Sequence, residues 1–96
     1  MAVVLITGCS SGFGLHAAVA FSQAGDTVYA SMRDTGRAGA LRASLPAGAD
    51  VRVVPLDVTV PSMHAPLVER IARESGRLDV LVNNAGLIRP GAFEMG

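Results

Sequence analysis

Three glycines within Thr7-Gly8-Cys9-Ser10-Ser11-Gly12-Phe13-Gly14 suit one kind of chemistry, the holding of an anion on bare backbone N–H groups. The segment follows the apolar run Val3-Val4-Leu5-Ile6 and opens an amphipathic stretch, so the glycines fall where a strand turns into a helix. Unpaired N–H groups at a helix start, with the positive end of its dipole, favour a phosphate or pyrophosphate. The missing side chains let such a ligand approach closely. A nucleoside-triphosphatase phosphate loop is excluded, because no Lys follows the last Gly and the chain contains no Lys at all.

A second chemical segment is Tyr29-Ala30-Ser31-Met32-Arg33-Asp34. Where a glycine turn of this kind binds a dinucleotide, an acid near the end of the next strand accepts from the adenosine ribose hydroxyls and selects NAD. A nearby Arg instead accommodates the extra phosphate of NADP. The planar fork of a guanidinium binds two oxygens of a phosphate dianion at once. Arg33 therefore predicts NADP (NADPH) over NAD. The alternative is that Arg33 is a solvated strand-end charge and Asp34 takes the ribose.

The elements that must position these groups alternate between strand and helix, the pattern of a parallel sheet with crossover helices. Ala2 to Thr7 reads as a buried strand, and Leu15, Ala18, Val19 and Ser22 fall on one helical face that Gly25 ends after Ala24. Thr27 to Met32 is a second strand, and Thr35 to Leu45 a helix weakened by Gly36 and Gly39. Val51 to Leu56 is a third strand, running into Asp57-Val58-Thr59. Leu67, Val68, Ile71 and Ala72 mark a helix that Gly76 ends, and Leu78 to Val82 form a fourth strand before Asn83-Asn84-Ala85-Gly86. Pro61 and Pro66 cannot share one first turn. Either Thr59 caps this last helix and Pro66 kinks it, or regular helix begins only around Ala65, and the later start is favoured.

Composition sets the frame. Ninety-six residues, 50% of them hydrophobic, make one small domain with a modest core. Zero formal net charge and scattered arginines argue against a nucleic-acid surface. A single Cys excludes an internal disulfide and fits a reducing compartment. The N-terminal apolar run is too short to span a membrane and lacks the basic start of a secretory signal, so the expectation is a cytoplasmic chain with no membrane partner.

Thr-Gly-x-x-x-Gly-x-Gly, distinct from the commoner Gly-x-Gly-x-x-Gly, resembles the signature of the short-chain dehydrogenase/reductase family in its shorter-chain branch. Asp57-Val58 and Asn83-Asn84-Ala85-Gly86 match the family's segments after its third and fourth strands. All three fall in order at the carboxyl ends of expected strands. The resemblance implies a Rossmann-type doubly wound α/β sheet in the order 3-2-1-4, with residues 1–96 forming the N-terminal part of a single NAD(P)-binding domain. It implies pyrophosphate contacts at Gly8, Ser10, Ser11, Gly12, Phe13 and Gly14, with Ser11 also reaching the 2′-phosphate. Met32 stands where NAD-preferring members carry their acid, which adds to the case for Arg33. Adenine would meet Asp57 and Val58, the ribose would lie by Asn84, Ala85 and Gly86, and the Asn83 amide would tie the fourth strand to its neighbours.

The family's catalytic Asn, its Ser and its Tyr-x-x-x-Lys have no counterpart in these residues. The only Tyr, Tyr29, lies in an expected strand with Arg33 four residues on, the wrong context for that motif. The resemblance therefore covers the chain but only part of a family member. It implies a truncated piece, inactive alone, of a homo-oligomeric NADP-dependent oxidoreductase acting on a small alcohol or carbonyl substrate. A noncatalytic nucleotide-binding or regulatory fragment is the alternative. Within the family, the first two segments look closest to steroid- and retinoid-type members. Cys9 is expected to pack, His16 and His64 to lie at the surface without metal-ligand spacing, and Glu69 and Glu74 to line a solvated helix face. Phe93 and Glu94 would begin the next helix.

Overall fold

The computed structural model describes residues 1–84. Ala85 and Gly86, expected at the ribose, and Phe93 and Glu94 lie outside the described residues.

Four parallel strands pair in the order β3-β2-β1-β4, as expected. They are β1 (Val3–Ile6), β2 (Thr27–Met32), β3 (Val51–Pro55) and β4 (Val80–Val82). Leu5 is the hub of the register, facing Tyr29 on one side and Leu81 on the other. The helices α1 (Gly12–Gln23), α2 (Gly39–Ser44) and α3 (His64–Ser75) make the crossovers.

Alternation along the strands builds two cores. Val4, Ile6, Val28, Ala30 and Met32 join Leu15, Ala18 and Leu41 on the face covered by α1 and α2. Val3, Leu5, Tyr29 and Val54 join Leu67 and Ile71 of α3 on the other. Because helices cover both faces, β1 and β2 are buried at every position and read as continuous apolar runs.

The structure adjusts several expectations. The expected helix Thr35–Leu45 divides into a 3-10 turn, Thr35–Arg37, and the short α2. The Asp34 carboxylate accepts from the Gly36 N–H at 2.9 Å, and this cap tightens the chain into the 3-10 turn. The later start of the third helix holds. Pro61 opens a separate 3-10 turn, Pro61–Met63, and Pro66 is the third residue of α3, where an N–H would have no intrahelical partner. Of the four apolar residues that marked this helix, Leu67 and Ile71 are buried while Val68 and Ala72 are exposed, and α3 seats itself on the sheet through Leu67, Ile71 and Ser75. β4 begins at Val80, two residues later than read. The Asp79 carboxylate before it takes the Val3 N–H at 2.8 Å and the Arg77 guanidinium at 2.8 Å, and these bonds hold it below the usual carboxylate range.

Glu74 is not a plain solvated carboxylate. It accepts from Arg70 at 3.0 Å and from the Tyr29 hydroxyl at 2.9 Å, and the Arg70 bond first, then the Tyr29 bond, depress its pKa. Arg52 donates to the same hydroxyl at 2.7 Å and lies 5.3 Å from the centre of the Tyr29 ring. This cluster fastens β2, β3 and α3 together and gives the fully buried Tyr29 a partner for its hydroxyl.

Candidate cofactor site

The glycine turn between β1 and α1 is braced from behind. The Thr7 hydroxyl accepts the Asn84 N–H at 2.8 Å and donates to Asn83 Oδ1 at 3.1 Å, while Asn84 Nδ2 donates to the Gly8 carbonyl at 3.3 Å. The expected tie from Asn83 is thus made through Thr7. Cys9 N–H donates to the Ser31 carbonyl at 3.0 Å, linking the turn to β2. The Cys9 thiol is buried, donates to the Ile6 carbonyl at 3.2 Å, and is pushed up to about 12 by desolvation, as befits a packing residue.

The glycines serve different needs. Gly12 has φ +62° with open space where a Cβ would stand, so the backbone conformation calls for glycine. A Cβ on Gly14 would run into the Gly8 carbonyl and come within 2.8 Å of Asn84 Nδ2. Gly14 thereby lets α1 close onto the turn. Ser11 is the N-cap of α1 in an extended conformation, its hydroxyl caps no N–H, and the first helical turn has no acidic side chain. The positive helix end is left for a ligand. Phe13 lies on this turn with 66% of its surface exposed.

A cavity of about 530 Å³ opens beside the turn at the carboxyl ends of β2 and β3, within the ~300–1,000 Å³ range of small-molecule clefts. Gly8 and Ser10 line one side, and Met32, Arg33, Asp34, Arg37, Asp57 and Val58 the others. Of the sequence-predicted site residues, Gly8, Ser10, Arg33, Asp57 and Val58 meet at this cavity. Ser11, Gly12, Phe13 and Gly14 stand at the helix start, and Asn84 stands behind the turn.

Asp57 is fixed through one oxygen. Oδ1 accepts from the Thr59 N–H at 2.9 Å and from its hydroxyl at 2.6 Å, while Oδ2 faces Arg33 Nε at 3.6 Å. The Thr59 bonds first, and then Arg33, hold the carboxyl below its usual range. The Arg33 side chain is 78% exposed. Asp34 spends Oδ1 on the Gly36 N–H. Sequence reasoning missed Arg37, which the 3-10 turn after Asp34 brings to the cavity; the signal was the Asp-x-Gly turn pattern at 34–36. Among the described residues no group of His, Cys, Asp and Glu could hold a metal ion, and no helix is long and apolar enough to cross a membrane.

A parallel 3-2-1-4 sheet with a glycine turn at its switch point defines a doubly wound nucleotide-binding fold. The family model for short chain dehydrogenases matches residues 2–95, and the chain belongs to that family. It is 41% identical over 93 residues to a 3-ketodihydrosphingosine reductase of Bacteroides thetaiotaomicron, covering 97% of this chain and 31% of the relative. It is 42% identical over 99 residues to human 17-beta-hydroxysteroid dehydrogenase type 1, covering 96% and 30%. A metagenomic short-chain oxidoreductase, solved in complex with NADP, superposes with a TM-score of 0.82 at 28% identity, over 95% of this chain and 46% of its own. The chain thus spans about a third of the length of the curated relatives it matches.

Proposed function

We propose that this chain supplies the adenosine and pyrophosphate half of the cofactor site of an NADP-dependent oxidoreductase that moves a hydride between a nicotinamide and an alcohol or ketone. The observation that carries this reading is the cavity itself, which has the glycine turn on one side and two guanidinium groups and two carboxylates, those of Asp34 and Asp57, on the other. The donor set fits the group. Gly8, Ser10, Ser11, Gly12, Phe13 and Gly14 would hold the pyrophosphate, with Ser11 also near the 2′-phosphate. Arg33, joined by Arg37, would hold that phosphate. Asp57 Oδ2 would accept from the adenine amino group beside Val58, and Asn84, Ala85 and Gly86 would flank the ribose.

The bound cofactor supplies the hydride donor or acceptor. The residues of this chain bind and orient it, and proton transfer to substrate is assigned to none of them. The relatives' names, a 3-ketodihydrosphingosine reductase and a 17-beta-hydroxysteroid dehydrogenase, favour the enzyme reading over a regulatory fragment and suggest a ketone or alcohol on a small organic molecule. The NADP complex of the metagenomic relative supports the choice of cofactor.

Charge-assisted bonds of the kind Arg33 would make contribute about 1.5–3 kcal/mol, or roughly 10- to 100-fold in affinity. Arg33→Ala should therefore weaken NADPH binding by that factor, roughly 10- to 100-fold, without weakening NADH binding. Equal small effects on both cofactors would refute the phosphate role of Arg33.

A further inference from the structure

Arg33 and Asp57 face one another across the cavity, and each is already the other's partner. With Asp57 Oδ1 committed to Thr59, Oδ2 is the oxygen left for a ligand, and Arg33 Nε lies 3.6 Å from it. An amino group donating to Oδ2 must share that oxygen with the guanidinium paired to it at 3.6 Å. The pair is held by a single contact on a side chain that is 78% exposed, so it is easily separated. Separation leaves a cation that needs a new anion.

We propose that Arg33 is a displaceable plug on Asp57, so that the site selects against unphosphorylated adenine nucleotides as well as for phosphorylated ones. This rests on the reading of the cavity given above. A ligand with a 2′-phosphate draws the guanidinium away and frees Oδ2 in the same event, so its two contacts reinforce each other. A ligand without that phosphate must break the Arg33–Asp57 pair with nothing offered in return.

The test is calorimetric titration of the full chain, and of Arg33→Met, Asp57→Asn and the double variant, with adenosine 2′,5′-bisphosphate and with 5′-AMP. Both side chains are solvent-accessible at the cavity rim, so the substitutions spare the core. The general attraction of Arg33 for a phosphate is common to both backgrounds at residue 57, and the comparison between backgrounds removes it. Expected is a coupling of about two- to fivefold: Arg33→Met favours 5′-AMP more, by that factor, when Asp57 is present than in the Asp57→Asn background. Saturable binding of the bisphosphate together with an identical effect of Arg33→Met on 5′-AMP in both backgrounds overturns the plug while leaving the cofactor reading intact. Failure of both nucleotides to bind overturns the reading of the cavity, and the plug with it.

Discussion

The two ends of the cavity are built in opposite ways. At the glycine turn, backbone groups carry the site, and Thr7, Asn83, Asn84 and Ser31 lock that backbone in place through hydrogen bonds of 2.8 to 3.3 Å. At the arginine end the charged groups sit on side chains, Arg33 is largely exposed, and its ion pair with Asp57 is 3.6 Å long. The difference matches what each end would read. Pyrophosphate is common to all dinucleotides and suits a fixed cradle, whereas the 2′-phosphate distinguishes them and suits a side chain free to move.

Breaking the fixed end should have the largest effect. Gly14→Val would drive side-chain atoms into the Gly8 carbonyl and Asn84, so the turn must shift and α1 lift. Binding of NADPH and NADH should be lost together, with a lowered melting temperature. Retained tight binding of either would mean that the cradle is misplaced. Next comes Arg33→Ala, whose cost should fall on NADPH alone, roughly 10- to 100-fold, with global stability unchanged within about 0.5 kcal/mol, as for other exposed sites.

Thr7→Val keeps the shape and removes the hydroxyl that serves Asn83 and Asn84. Denaturant titration should show a loss of about 1–3 kcal/mol, and whatever affinity is lost should be lost equally for both cofactors. A selective effect on NADPH would merge the two ends that the structure separates. The smallest effect concerns pH. Asp57 is held below its usual range, so its contribution is present above the unfolded carboxylate pKa and fades as pH falls through the depressed folded value. The stability difference between the protein and Asp57→Asn should accordingly be constant through neutral pH and shrink in acid; a difference that grows in acid would reverse the assigned direction.

Contrast within the sheet also explains what could be read from sequence. Strand existence and the glycine turn between β1 and α1 were legible because apolar runs, helical spacing and glycine positions are local patterns, whereas the strand order came from the family resemblance. Thr27–Met32 matched residue for residue because its flanks, Gly25-Asp26 and Arg33-Asp34, break the apolar run sharply. The Tyr29, Arg52, Glu74 and Ser75 cluster was invisible. Its members lie 23 to 46 residues from Tyr29, and only folding brings them together. Arg37 was missed for a different reason: whether it reaches the cavity depends on the turn that Asp34 sets, and Thr35–Leu45 was read as one helix. Asp57 was read as a ligand contact, and the turn it forms with Thr59, which the structure shows, was not read.

The most direct measurement is an equilibrium titration of the protein with NADPH and, separately, NADH, following nicotinamide fluorescence and displacing the signal with a competing adenine nucleotide. The account predicts saturable binding of both, with NADPH tighter by roughly 10- to 100-fold. Equal affinities, or a preference for NADH, would contradict the assignment of the arginine end to the 2′-phosphate.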